Sequence, residues 1–245
     1  MKYKIRNIII LLITILMLTD QTITTNATTT TKESNVYMIK YTTTCVCVRV
    51  KPDTHSHIYT KLPFNTKVRI CRNYNNKNWY KIKYKKRYLY ISKKYVRNKK
   101  YSGKKYTIPD YKGFKSWMPY TAITMKSSDQ YKLQQSAYTG NYGIRMIENR
   151  YCVAIGTHFL ENNKVKIGTY FDLKLKNGTV IHCVLSDIKA DRDTDSSNIF
   201  SQNKCCSEFL IDRSSLDSSA KLSGDVSSVN KSWNSPVKKI IIYKI

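Results

Sequence analysis

YCVAIGTHF (Tyr151–Phe159), IGTYFDLKLKNGTVIHCVLSD (Ile167–Asp187), IKADRDTDSSN (Ile188–Asn198) and SEFLID (Ser207–Asp212) together set the character of the chain's second half. The apolar segments are rich in β-branched and aromatic residues and bounded by turn formers, which reads as a set of strands. Asn177-Gly178 between Thr169–Leu175 and Thr179–Leu185 is a hairpin signal, because both residues tolerate positive φ. Two apolar segments end in acids, Asp187 and Asp212, and a polar loop between them carries Asp191, Asp193 and Asp195. In a chain this basic, with 43 Lys and Arg against 16 Asp and Glu, such a gathering of carboxylates is where chemistry is to be sought.

Outward from that stretch, Tyr131–Gln135 and Gly143–Met146 read as strand starts and Tyr151–Ile155 as an apolar strand. Ser214–Lys221 reads as a short helix with Ser214 as its cap, and Val237–Tyr243 as a closing strand. The expectation for residues 116–245 is a closed six-stranded β-barrel. Residues 99–115, with Pro109 and Gly113 as breakers, read as a linker.

The net charge of +27 implies polyanionic surroundings: nucleic acid, anionic lipid or an anionic wall polymer. The first residues choose among these. Lys2, Lys4 and Arg6 precede an apolar run from Ile8 to Leu18, and a small-residue site follows at Thr25-Asn26-Ala27. That order is the pattern of a secretory signal peptide over residues 1–27. The run is short for a membrane span, and an uncleaved anchor is the alternative. Export argues against nucleic acid as a partner. Residues 28–35 end a Thr-rich stretch without apolar periodicity and read as a disordered linker.

Seven cysteines (45, 47, 71, 152, 183, 205 and 206) in an exported chain lead to an expectation of disulfides with at least one thiol left over. The alternative is that several are buried apolar side chains. Their spacing is not that of a zinc site.

Residues 36–98 carry many short β-rich segments at close spacing, the pattern of a small barrel. In Trp79–Tyr84, Trp79, Lys81 and Lys83 share one face and Tyr80, Ile82 and Tyr84 the other. Asn75–Asn78 and Lys85-Lys86 read as turns. Cys47–Asp53, Asn65–Val68, Trp79–Ile82 and Leu89–Ile91 follow the order of motifs in the bacterial SH3 domain, which this segment resembles. The resemblance implies binding of cell-wall peptide or a spacer role, with Trp79, Tyr84, Tyr90 and Arg49 as wall-binding candidates. Lys81, Lys83, Lys85, Lys86, Arg87, Lys93, Lys94 and Arg97 crowd its second half. They suit either a phosphate polymer such as teichoic acid, held by salt-sensitive charge, or a solvated face that keeps a small domain soluble.

Val184–Asp187 and Phe209–Ser214, a strand ending in Asp, a loop and a second strand ending in Asp, resemble the double-psi β-barrel group. That group includes the rare-lipoprotein-A type and the three-aspartate wall enzymes. The region from Phe114 onward is also similar to secreted Firmicute proteins that share the motifs at Tyr151–Ala154, Ile167–Thr169, Asn177–Thr179, Asp187–Asp191, Thr194–Asn198, Glu208–Asp212 and Gly224–Ser227. The resemblance implies cleavage of peptidoglycan glycan by one carboxyl acting as acid and then base.

Asp187 is the first candidate, because partial burial behind an apolar strand would keep it protonated. Asp212 is the second, and Glu208 is placed with it. Lys189, Asp191, Thr194, Asp195, Asn198 and Tyr151 are candidate substrate-binding residues. The competing reading makes Asp187 and Asp212 turn and helix caps.

The acidic loop begins like a calcium loop, but Ser196 and Gln202 stand where Gly and Glu are needed. A looser cation site and a solvated loop stay open for it. His55 and His57 read as an exposed loop rather than ligands. A Cys-His peptidase pairing Cys152 or Cys183 with His158 or His182 is a third option, but nothing local resembles such a site, and in a strand His182 faces away from Cys183. No cofactor and no metal are expected. The combined expectation is a mainly β, secreted, monomeric protein that binds peptidoglycan and anionic wall polymers. It either cleaves glycan strands or binds the wall without catalysis.

Overall fold

The computed structural model describes residues 36–109, 113–161 and 164–244. The signal-peptide and Thr-rich-linker expectations fall outside them. Among the described residues, no helix is long and apolar enough to cross a membrane. The chain divides into two compact units, meeting at Lys100 and Tyr101.

The first unit is built of β1 (Tyr37–Thr42), β2 (Val46–Arg49), β3 (Ile58–Leu62), β4 (Lys67–Cys71), β5 (Trp79–Tyr84), β6 (Arg87–Ser92) and β7 (Val96–Arg97). They pair in the order β3-β2-β6-β5-β4-β1-β7, and every pairing is antiparallel. Lys85, with φ 53°, lies in the short turn that joins β5 to β6. Asn65 (φ 63°) supplies a left-handed turn, a conformation Asn tolerates through its short polar side chain. Val46, Val48, Leu62, Val68, Ile70, Ile82, Leu89 and Ile91 form the core. Tyr80 and Tyr84 pack against it from the Ile82 side of β5, as the alternation indicated.

The second unit contains β8 (Gly103–Thr107), β9 (Ser116–Pro119), α1 (Asp129–Ser136), β10 (Tyr138–Thr139), β11 (Arg145–Ile147), β12 (Arg150–Gly156), β13 (Tyr170–Leu175), β14 (Val180–Lys189), β15 (Glu208–Ile211), α2 (Ser218–Ser223) and β16 (Val237–Tyr243). Its main path is β10-β11-β12-β14-β13-β16-β8, with β15 joining β12 to β9. β12 and β14 run parallel, as do β15 and β9.

This path does not close, which corrects the expectation of a closed six-stranded barrel. The reason lies in burial on both faces. Val153, Leu185 and Phe209 point into the large core, while Cys152, Ala154, Val184 and Leu210 form a second cluster on the other side. Leu133 of α1 packs against that second cluster. Central strands with two buried faces belong to a layered sheet.

Other expectations shift with the structure. Gly103–Thr107, inside the stretch read as a linker, pairs with β16. Tyr131–Gln135 is helix, not strand. The Ser128 hydroxyl accepts from the Tyr131 N–H at 3.1 Å and Asp129 sits in the first turn, so a cap and a favourable dipole contact start α1. The later helix is capped by Asp217 rather than Ser214. The β13–β14 hairpin forms as expected, with positive φ at Gly178 (90°) but not at Asn177. All seven cysteines are free, which corrects the disulfide expectation. Cys152, Cys183, Cys205 and Cys206 are buried, as the apolar alternative held. Burial pushes the Cys206 thiol up to about 12.

Candidate functional site

The second unit gathers part of the acidic set. β14 carries a bulge: Leu185 lies opposite Val153, but Asp187, not Ser186, lies opposite Ala154. Strict alternation from Leu185 would aim Asp187 into the large core. The extra residue, Ser186, turns it instead to the face that Ala154 shares with α1. Lys189, two residues on, shares that face. Glu208 pairs with Ala154 from the other side and shares it too. The Lys189 ammonium meets the Glu208 carboxylate at 2.7 Å, with their side chains 10% and 17% exposed.

Burial pushes the Asp187 carboxyl above the ordinary Asp range, and the Glu208 charge pushes the same way. Hydrogen bonds from the Ile188 N–H and the Gln130 side chain, with the Lys189 charge, pull against this without cancelling it. A carboxyl raised above the ordinary Asp range beside a carboxylate–ammonium pair can donate a proton and take it back. Gln130 lies just ahead of Tyr131–Gln135, the stretch whose pattern suggests a strand, and it reaches Asp187 because that stretch is helix.

The remaining candidates lie elsewhere. Asp212 follows β15 at the end opposite Glu208, about 13 Å away at the rise of a strand. It accepts from the Ser214 N–H (3.0 Å), the Ser214 hydroxyl (2.6 Å) and the Thr139 hydroxyl (3.3 Å). The Ser214 hydroxyl above all holds its carboxyl below the usual range. That is turn-capping geometry. Tyr151 packs edge-on against Trp233 (4.9 Å between ring centroids) and Phe209 (6.1 Å) as part of the core wall.

In the acidic loop the Thr157 hydroxyl donates to Asp191, and the Thr194 hydroxyl to Asn198. Asp195 organises the turn by accepting from the Ser197 hydroxyl and the N–H groups of Ile199 and Phe200. Among the described residues no group of three or more His, Cys, Asp or Glu could hold a metal ion. His55 and His57 are exposed, and His55 bonds Asp53. His182 and Cys183 sit on opposite faces of β14, as alternation required, and the Cys183 thiol is fully buried.

A buried polar network escaped the sequence reading. The Arg150 guanidinium donates to the Phe171 carbonyl (2.8 Å), the Cys183 carbonyl (2.9 Å) and Asp172 (3.0 Å). Asp172 also meets His182 Nδ1 at 2.9 Å and the Tyr243 hydroxyl at 2.7 Å. Burial alone would raise the Asp172 carboxyl, but the His182 bond and the Arg150 charge outweigh it and hold it low. The hairpin signal falls one residue short of it: a two-residue Asn177-Gly178 turn would set Asp172 opposite Cys183, whereas the loop is centred on Asn177 and sets Asp172 opposite His182.

The first unit presents a different surface. Between residues 36 and 100 there are eighteen Lys and Arg against one acid, Asp53. Of the four wall-binding candidates, Trp79 is buried (9% exposed) and Tyr84 packs on the core. Arg49 and Tyr90 pair directly on the outer face. The order of the strands, the left-handed turn at Asn65 and the Trp79–Ile82 strand together describe a known module. Residues 46–97 match the family model of the bacterial SH3 domain. No curated protein and no solved structure matches the chain. The SH3 domain therefore holds most of the chain's excess charge, and its cations have one internal carboxylate to neutralise them.

Proposed function

We propose that this protein is a bacterial cell-wall-associated protein, exported by its first 27 residues, whose SH3 domain binds the wall. The observation that carries the reading is the match of residues 46–97 to the bacterial SH3 domain. The cation excess on that domain supports a polyanionic wall as its setting. The test is sedimentation of the full chain with purified bacterial walls across a salt series. Co-sedimentation that weakens as salt rises supports the reading. A protein that stays in the supernatant at low salt refutes it.

A second reading gives the second unit glycan-cleaving activity of the lytic transglycosylase kind, which the motif resemblance at Val184–Asp187 and Phe209–Ser214 implied. The observation favouring it is the raised Asp187 carboxyl beside Lys189–Glu208. Asp187 would protonate the glycosidic oxygen as the C–O bond breaks. The muramic 6-hydroxyl would then close on the anomeric carbon and return its proton to the Asp187 carboxylate. Asp212 has no part in this version. Anhydro-muropeptides released by the parent and absent with Asp187→Asn would support it. Intact wall after prolonged incubation with the parent would leave the binding reading alone.

A further inference from the structure

We propose that the outer face of the β1–β4–β5–β6 sheet binds a phosphodiester-linked polyol polymer of the cell wall. This deepens the wall-binding reading and rests on it. Strand register puts the residues together. Lys83 lies opposite Tyr88 on β6 and opposite Arg69 on β4, and Lys81 lies opposite Tyr90. The face they share is the reverse of the one carrying Ile70, Ile82 and Leu89 into the core.

Alternate residues of a strand are about 6.7 Å apart, so Lys81 and Lys83 lie within one Debye length and act jointly. Cations this close repel one another unless an anion lies across them. The domain's one acid, Asp53, is elsewhere, hydrogen-bonded by the His55 N–H at 3.0 Å.

The tyrosines decide which polyanion fits. The Lys81 ammonium sits 4.7 Å from the centre of the Tyr88 ring, and the Lys83 ammonium 5.7 Å from that of Tyr37. Ring faces covered by ammonium groups are poor platforms for stacking nucleic-acid bases. The hydroxyls of Tyr37 and Tyr88 bond each other at 3.5 Å, and with Tyr88 53% exposed the pair keeps one proton and further lone pairs for a ligand. A pair of phenol hydroxyls flanked by ammonium groups suits alternating phosphates and polyol hydroxyls. The ammonium groups take the phosphates and the phenols exchange hydrogen bonds with the polyol.

The experiment titrates the full chain with poly(glycerol phosphate), single-stranded DNA and neutral dextran. Lys81→Gln/Lys83→Gln removes the face. Lys126→Gln/Lys132→Gln removes the same charge from exposed positions of the second unit. Tyr37→Phe/Tyr88→Phe removes only hydroxyls. The expected result is polymer binding weakened about 10- to 100-fold by the face variant and less than about threefold by the control, with DNA and dextran weaker than the polymer. The tyrosine pair should cost about 3- to 10-fold.

Equal losses in the face and control variants would reduce the effect to diffuse charge and overturn the proposal. DNA or dextran binding as tightly as the polymer would overturn it as well. Sedimentation with walls stripped of phosphate polymers separates the two levels. Undiminished binding to stripped wall with no affinity for the polymer sinks this inference and leaves wall association standing. No binding to either sinks both.

Discussion

The Lys189 ammonium lies 2.7 Å from the Glu208 carboxylate, on the face of the sheet to which the β14 bulge turns Asp187. Lys189 thereby compensates one of two carboxylates, and Asp187 is left as the one that burial discourages from ionising. Removing Lys189 should leave both carboxylates in one half-buried site. Lys189→Gln is expected to raise the Asp187 pKa further, because like charges disfavour the second ionisation. Carboxyl titration followed by NMR in parent and variant checks this. An unchanged or lower Asp187 midpoint would show that the pair does not act on it.

Asp187 itself gives a signed stability prediction. Its folded-state pKa lies above the ordinary Asp value, so the folded chain binds more protons than the unfolded chain between the two. Stability from this group therefore falls as pH rises through that window. Asp187→Asn keeps the shape and removes the charge. It should melt no lower than the parent at pH 7, with the difference disappearing near pH 3. A variant several degrees less stable at pH 7 would mean that the ionised carboxylate is held by more than it costs to bury.

Asp172 has the opposite sign. Its carboxyl is held low by His182 and Arg150, so its contribution is present above the ordinary Asp pKa and is lost as pH falls below it. Asp172→Asn should destabilise the second unit by about 3–5 kcal/mol at neutral pH, because it strips the ion partner from Arg150, which is only 2% exposed. Thermal melts at pH 7 test this, and a loss under about 1 kcal/mol would remove the network from the stabilising core.

Lys115 is buried (1% exposed) and donates to the carbonyls of Trp233 (2.6 Å), Gly113 (2.8 Å) and Ser235 (3.0 Å). It ties the start of β9 to the segment before β16. Burial lowers its pKa to about 8. Between there and the ordinary lysine value the unfolded chain holds more protons, so this group adds stability as pH rises through the window. Lys115→Met should lose about 2–5 kcal/mol at pH 7 by leaving carbonyls unsatisfied. It should also lose that alkaline gain relative to the parent. Paired melts at pH 7 and pH 9.5 measure both.

Gly156 ends β12 where the chain leaves no room. A Cβ there would stand 2.0 Å from the Asn198 carbonyl oxygen. Gly156→Ala should push the acidic loop off β12 and cost about 1–3 kcal/mol. It should also raise amide exchange at Ile199 and Phe200, whose N–H groups bond Asp195. Unchanged protection at both amides would show that the loop does not depend on this contact.

Local pattern alone determined the SH3 strands, the hairpin at Asn177-Gly178 and the strand Val237–Tyr243. Alternation and turn chemistry act over a few residues and need no distant partner. The same locality explains what was missed. The Ser128 cap is written in the sequence, but the apolar residues that follow it suit helix or strand, and packing of α1 on the second cluster decides between them.

Closure, pairing of strands far apart in the chain and the second buried face depend on which distant segments meet, so the expected closed barrel gave way to an open sheet with two covered sides. The Ser186 bulge is the sharpest case. A single unpaired residue reverses the side on which Asp187 emerges, and its position depends on the register against β12, more than thirty residues earlier. The sequence suggests an aspartate at each strand end, but β14 runs on to Lys189, so Asp187 lies inside its strand and only Asp212 follows one. Tertiary register brought Asp187 to Glu208 and left Asp212 to cap a turn.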